Sequence, residues 1–142
     1  MITVRELLQN KPAGVVTAGP NSRVYEALAL MQRHDIGALP VVENGRLVGI
    51  LSERDYARGV ALRGRSSRDM SVGELMTSVV VVKLDQTIQD CMTLMTERRV
   101  RHLPVVEHGV LVGIVTIGDV VKQIITDQAH LIHELEHYIR GD

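Results

Sequence analysis

"IGALPVVENGRLVGILSERD", residues 36–55, lies over "VRHLPVVEHGVLVGIVTIGD", residues 100–119, at a constant offset of 64 and without a gap. A repeat of this length decides a fold before any local signal does. Each copy holds two short apolar runs, "LPVV" and "LVGI", separated by Glu43-Asn44-Gly45 or Glu107-His108-Gly109. Two such runs around a tight turn read as a β-hairpin, and Asn-Gly is a strong short-range mark of one. The second run of each copy closes on a hydroxyl and, three residues later, a carboxylate: Ser52 and Asp55, then Thr116 and Asp119.

Outward from these stretches the match continues. "VYEALALM" (24–31) lies over "IQDCMTLM" (88–95), and "TVREL" (3–7) over "SVGEL" (71–75), now at offset 68. The first copy therefore carries four extra residues, around "QNKPAG". Thr3-x-x-Glu6 and Ser71-x-x-Glu74 have the form of capping boxes that open a short helix. "GVVT" and "SVVVV" read as short β-branched strands. Val24, Ala27, Leu28 and Met31, like Ile88, Cys91, Met92 and Met95, fall at the spacing of one apolar helix face. A second helix is expected after Asp55 and after Asp119. The order per copy is β-α-β-β-α behind a leading helical turn, an α/β (α+β) class. Neither copy alone buries enough surface for comfortable stability, so the two are expected to pack as a pseudo-symmetric pair.

Composition narrows the function classes. Of 142 residues 45% are apolar, yet Phe and Trp are absent, so the core is aliphatic. No apolar run reaches the ~18 residues of a membrane-spanning helix. "MITVRELLQN" is too charged and too short in its apolar part for a signal peptide. A single cysteine, Cys91, forms no internal disulfide, which fits a reducing cytoplasm. A net charge of −1 and only three tyrosines argue against a dedicated nucleic-acid binder.

The element order, "LPVV", "LVGI" and the Ser/Thr-x-x-Asp ending, all present twice, resemble the CBS domain, named after cystathionine β-synthase. The resemblance covers residues 3–126 and is greatest to free-standing single-pair CBS proteins of bacteria and plants. It implies repeat 1 over 1–66, repeat 2 over 67–126, a pseudo-two-fold pair (a Bateman module), and an amphipathic C-terminal helix over 127–142. It further implies a sensor rather than an enzyme, with no catalytic residues. The ligand would be an adenosine nucleotide: AMP first, then ADP, ATP or an NAD-type dinucleotide. A homodimer and an effector protein reached in trans complete the implied partners.

The hydroxyl-carboxylate pair then has two readings. It caps the following helix, with the acid favoured by the helix dipole. Alternatively the carboxylate accepts the 2′- and 3′-hydroxyls of a ribose, and the hydroxyl with the free N–H groups of a starting helix meets a phosphate. The two are compatible. Carried over from the resemblance, one site uses Ile114, Thr116 and Asp119 with Val15, Val16, Ile36, Gly37 and Ala38. The other uses Ile50, Ser52, Arg54 and Asp55 with Val79, Val80, Val100, Arg101 and His102. The sites are expected to be unequal, since Arg101 and His102 would form a cation pair where the first copy has Gly37 and Ala38. Against this, Arg98, Arg99 and Arg101 would merely solvate a helix end.

Three other stretches carry a signal. "HELEH" (133–137) has the H-E-x-x-H spacing of zinc peptidases. It falls, however, on a helix whose Leu131, Ile132, Leu135, Tyr138 and Ile139 form a packing stripe, so no metal is expected. The basic stretch "RGVALRGRSSRD" (58–69) reads as a solvated linker or a phosphate clamp. Cys91 is expected to be buried and inert. A structural dimerisation module without ligand, and a zinc hydrolase, stand as the alternatives.

Overall fold

In the computed structural model the described residues are 2–12 and 14–140, so positions 1, 13, 141 and 142 of the expected divisions lie outside them. The elements follow in the order α1 (Val4–Gln9), α2 (Val24–His34), β1 (Ala38–Glu43), β2 (Arg46–Ser52) and α3 (Glu53–Tyr56). A π-helical turn, Ala57–Ala61, extends α3. Then come α4 (Val72–Leu75), α5 (Ile88–Arg98), β3 (His102–Glu107), β4 (Val110–Thr116) and α6 (Ile117–Arg140). The class is mixed α+β, with two small antiparallel sheets, β1-β2 and β3-β4.

Both hairpins close as the turn residues require. Asn44 and Gly45 have φ of 52° and 79°, and His108 and Gly109 have φ of 52° and 78°. Positive φ at both central positions gives the turn whose twist matches the flanking strands. In each hairpin the register slips by one: Val41 faces Gly49 while Val42 faces Leu47, and Val105 faces Gly113 while Val106 faces Leu111. Val48 and Val112 are thus the extra residues of a bulge, which tightens the local twist. Glycine follows the bulge in both copies because another chain segment crosses there. A Cβ at Gly49 would stand 2.7 Å from Met76 Sδ and 3.1 Å from the Thr77 carbonyl, and one at Gly113 would stand 2.7 Å from Leu8 Cδ1.

"GVVT" and "SVVVV" do not form the strands expected of them. A single parallel bridge stands in place of each, Ala18 to Val41 just after "GVVT" and Val82 to Val105 at the end of "SVVVV". Ala18 N–H donates to Pro40 O at 3.0 Å and Val42 N–H to Ala18 O at 2.9 Å, and the Val82 bridge repeats this geometry. β-propensity describes a side chain that fits a pleated, half-buried surface, and Val15 and Val16 instead border a cleft.

The two cores do not follow the order of the chain. One gathers Val24, Met31, Leu39, Val41 and Leu51 together with Met70, Val72 and Leu75 from the second copy's leading segment. The other gathers Ile88, Cys91, Leu103, Val105 and Val115 together with Val4 and Leu7 from the first copy's leader. Each short leading helix therefore packs on the opposite repeat. The exchange is pinned by Val4 N–H to Gln86 O and Val72 N–H to Ser22 O, both 2.8 Å. Packing units thus cross the 66/67 division of the sequence.

The helices after the hairpins begin earlier than expected, at Glu53 and Ile117, which makes Asp55 and Asp119 their third residues. No helix starts afresh at 127. α6 runs unbroken for 24 residues, because 117–140 contains no proline and only one glycine, Gly118, near its start. Its stripe residues Leu131, Leu135 and Ile139 are 55%, 52% and 80% exposed. No helix is long and apolar enough to cross a membrane among the described residues.

Candidate functional site

The capping reading of the two polar turns is realised in both copies. The Ser52 backbone N–H and hydroxyl each donate to Asp55 Oδ2 at 2.9 Å, and Asp55 N–H donates to Ser52 Oγ at 3.1 Å. Thr116 N–H donates to Asp119 Oδ2 at 2.9 Å, and Asp119 N–H donates to Thr116 Oγ1 at 3.1 Å. These are reciprocal capping boxes, shortened from glutamate to aspartate. Only Oδ2 of each carboxylate is engaged, and Oδ1 accepts no hydrogen bond among the described residues. Capping therefore leaves each aspartate a vacant acceptor.

Each capped turn stands at the mouth of a cleft between the copies. One, of about 570 Å³, brings together Val15, Val16, Ile36, Gly37 and Ala38 of copy one with Ile114, Thr116 and Asp119 of copy two. The other, of about 330 Å³, brings together Ile50, Ser52, Arg54 and Asp55 with Val100, Arg101 and His102. Both volumes lie in the range of small-molecule sites, roughly 300–1,000 Å³. Val79 and Val80 do not line the smaller cleft. Thr77 takes that place, held by paired backbone bonds with Ile50 at 2.9 and 3.0 Å.

Several residues were missed in the sequence. Lys11 lies in the four-residue insertion, and its Nζ donates to Asp119 Oδ2 at 2.7 Å and to the Ile114 carbonyl at 2.8 Å. The pair is largely withdrawn from solvent, the two side chains being 27% and 21% exposed. Asp35, also unremarked in the sequence, lines the larger of these two clefts, while Arg58 of the basic stretch and Arg99 of the helix end, both singled out in the sequence, reach the smaller. Arg58 belongs to the basic stretch 58–69; farther along that stretch, Arg68 stacks over the Tyr25 ring at 4.7 Å and turns to packing.

His102 does not form the expected cation pair with Arg101. Burial lowers the tendency of its imidazole to protonate, and the Arg101 charge lowers it further, outweighing Asp119 and Glu53. It is a neutral wall between the clefts, lining both, 3.7 Å from where a Cβ on Gly37 would stand. Backbone bonds tie this wall to the helix starts: Glu53 N–H to Gly37 O at 3.0 Å and Ile117 N–H to Arg101 O at 2.9 Å.

The remaining signals resolve locally. Cys91 is fully buried, and burial, reinforced by Asp90, pushes its thiol up to about 11, which keeps it protonated and unreactive. His133, Glu134 and His137 lie exposed on α6, and Glu134 Oε1 sits 3.0 Å from His130 Nε2. No group of three or more His, Cys, Asp or Glu side chains is placed to hold a metal among the described residues.

Two repeats with exchanged leading helices and two clefts between them, each lined by a capped aspartate, define a pseudo-symmetric tandem repeat pair. The CBS domain profile matches residues 4–61 and 72–126, and the chain belongs to the CBS domain family. It is 39% identical over 124 residues to the mitochondrial CBS domain-containing protein CBSX3 of Arabidopsis thaliana, covering 83% of this chain and 60% of that protein's length. A protein with CBS domains from Burkholderia ambifaria matches with a TM-score of 0.86 and 46% identity, over 89% of this chain and 96% of that one. The CBS pair of MJ0100, solved with 5′-methylthioadenosine and S-adenosyl-L-methionine, matches with a TM-score of 0.78 and 28% identity, over 89% of this chain and 98% of that one.

Proposed function

We infer that the chain senses adenosine nucleotides in the two clefts and passes the signal to a separate protein, without catalysis of its own. The carrying observation is the pair of capped aspartates, each with an unengaged Oδ1 at the mouth of a cleft of suitable size. A carboxylate so placed suits a ribose diol, and the aliphatic walls, Val15, Val16 and Ile114 in one cleft and Ile50 and Val100 in the other, suit an adenine face. The adenosine-type ligands of the MJ0100 pair support this reading. AMP is the first candidate, followed by ADP, ATP and NAD. A ligand bridging both copies biases their relative position only through different affinity for two states. Calorimetric titration of AMP, ADP, ATP and NAD tests the reading. Saturable binding of at least one is expected, and no binding to any at millimolar concentration returns the fold to a purely structural role.

The unpartnered α6 stripe favours a homodimer as the signalling unit. Ile117, Val121, Ile125, Ile132, Leu135 and Ile139 are all exposed along one helix. Light scattering is expected to give twice the monomer mass, and removal of 127–142 to weaken the association. The reducing cytoplasm expected from the lone cysteine belongs to the same reading.

A further inference from the structure

We propose that the two clefts take adenosine ligands of different charge: the Ser52 cleft a polyphosphorylated nucleotide, the Thr116 cleft an adenosine compound without phosphate. The proposal rests on the nucleotide-sensing reading above, confines nucleotides to one of the two clefts and gives the other an uncharged adenosine compound.

The repeat itself supplies the comparison, since the offset of 64 pairs each position with its counterpart. Asp35 and Arg99 are such a pair. Both end the helix before the hairpin, and both adopt the same left-handed backbone, φ 52° and 54°. Asp35 lines the Thr116 cleft and Arg99 the Ser52 cleft, so one structural position carries opposite charge in the two sites. The helix start repeats the contrast, with Arg54 in the Ser52 cleft and Gly118 in the other.

The charges sum differently as a result. Arg54, Arg58, Arg99 and Arg101 face Glu53 and Asp55 in the Ser52 cleft, an excess of two positive charges. In the Thr116 cleft Lys11 and Arg101 balance Asp35 and Asp119. Lys11 is moreover already committed, to Asp119 Oδ2 and to the Ile114 carbonyl. Guanidinium groups converging on one rim suit a chain of phosphates, which each can grip through two N–H donors. A rim of balanced charge that carries Asp35 where the other cleft carries Arg99 offers such a chain no excess of cations and suits an uncharged ligand.

Calorimetry with ATP, adenosine and inorganic tripolyphosphate tests the division. Wild type is expected to bind one ATP per chain, competed by tripolyphosphate and weakened by salt, and adenosine at a site tripolyphosphate does not contest. Arg99→Asp is expected to weaken ATP by roughly tenfold or more, the loss of a charged contact, and adenosine by less than about twofold. Arg99→Gly, which the left-handed backbone favours, gives the same direction without reversed charge and guards against misfolding. Asp35→Arg is expected to raise the ATP stoichiometry from one to two. Adenosine binding together with two equivalent ATP sites in wild type, or ATP affinity unchanged in both Arg99 variants, overturns the division and leaves nucleotide sensing standing. Failure of both ATP and adenosine to bind overturns the division, and nucleotide sensing falls with it only where AMP, ADP and NAD fail as well.

Discussion

Asp55 and Asp119 stand at the same position of two near-identical turns, yet they meet different surroundings. Asp55 is the third residue of a four-residue helix that loosens into a π-helical turn, and the cations near it are exposed arginines at the cleft rim. Asp119 is the third residue of a helix of 24, and a lysine from an insertion 108 positions away is bonded to it. The repeated residues place the carboxylate, cap the helix and aim it at a cleft. The residues that break the repeat, Lys11, Asp35 against Arg99, and Gly118 against Arg54, decide what each carboxylate and each cleft rim can hold.

Substitutions at matched positions sharpen this comparison. The largest effect is expected where the second copy's leader crosses the first hairpin. Gly49→Ala sets a Cβ against both the Met76 side chain and the Thr77 backbone, whereas the atoms nearest a Cβ at Gly113 all belong to the Leu8 side chain. Overpacking of this kind costs roughly 1–3 kcal/mol. Urea unfolding should place Gly49→Ala in that range and Gly113→Ala below it, because a leucine tip can shift and a carbonyl cannot. Equal costs would mean that the two crossings are equally yielding.

Lys11→Ala comes next. It strips a partner from a carboxylate and a carbonyl that are both partly buried, and hydrogen bonds to charged groups contribute about 1.5–3 kcal/mol each before solvent compensates. A net loss of roughly 1–2 kcal/mol is expected, against less than about 0.5 kcal/mol for exposed Arg54→Ala on the other side. The same variant should bind adenosine more tightly, since the Asp119 carboxylate that faces the ribose no longer shares its charge with an ammonium. A neutral effect on both stability and adenosine binding would remove the asymmetry between the two aspartates.

The smallest effect concerns the wall between the clefts. Because burial holds the His102 pKa below its ordinary 6.5, the unfolded chain takes up the proton first as pH falls. The stability contributed by the neutral imidazole is complete above pH 6.5 and declines as pH drops from there toward the folded-state value. Urea midpoints of wild type at pH 7.5 and 5.5 should therefore differ more than those of His102→Gln. Identical pH dependence would place the imidazole in open solvent.

The hairpins, the caps and the apolar faces of α2 and α5 were legible in the sequence because each is a local pattern: Asn44-Gly45, Ser71-x-x-Glu74, Val24 to Met31. The exchange of leading helices was not legible, since Val4 bonds to the Gln86 carbonyl far along the chain and nothing in "TVREL" says which sheet it covers. Val15-Val16 and Val79-Val80 misled as strands because β-branched residues also suit extended cleft walls and linkers. Lys11 had a signal in the four-residue insertion around it, but a lysine in a loop declares no partner. Asp35 and Arg99 occupy one position of the repeat, but Arg99 read as a solvated helix end and Asp35 carried no signal of its own.

The central claim is that the capped aspartates also hold a ribose. Calorimetric titration of AMP and 2′-deoxy-AMP into wild type and into Asp55→Ala/Asp119→Ala addresses it most directly. Wild type should prefer the ribonucleotide. The double variant should lose AMP affinity by roughly tenfold to several hundredfold, one or two hydrogen bonds to a charged acceptor, and should no longer distinguish the two nucleotides. If the aspartates are caps alone, the double variant loses about 1 kcal/mol of stability per site while AMP affinity and the deoxy preference stay at their wild-type values, and that result would contradict the account.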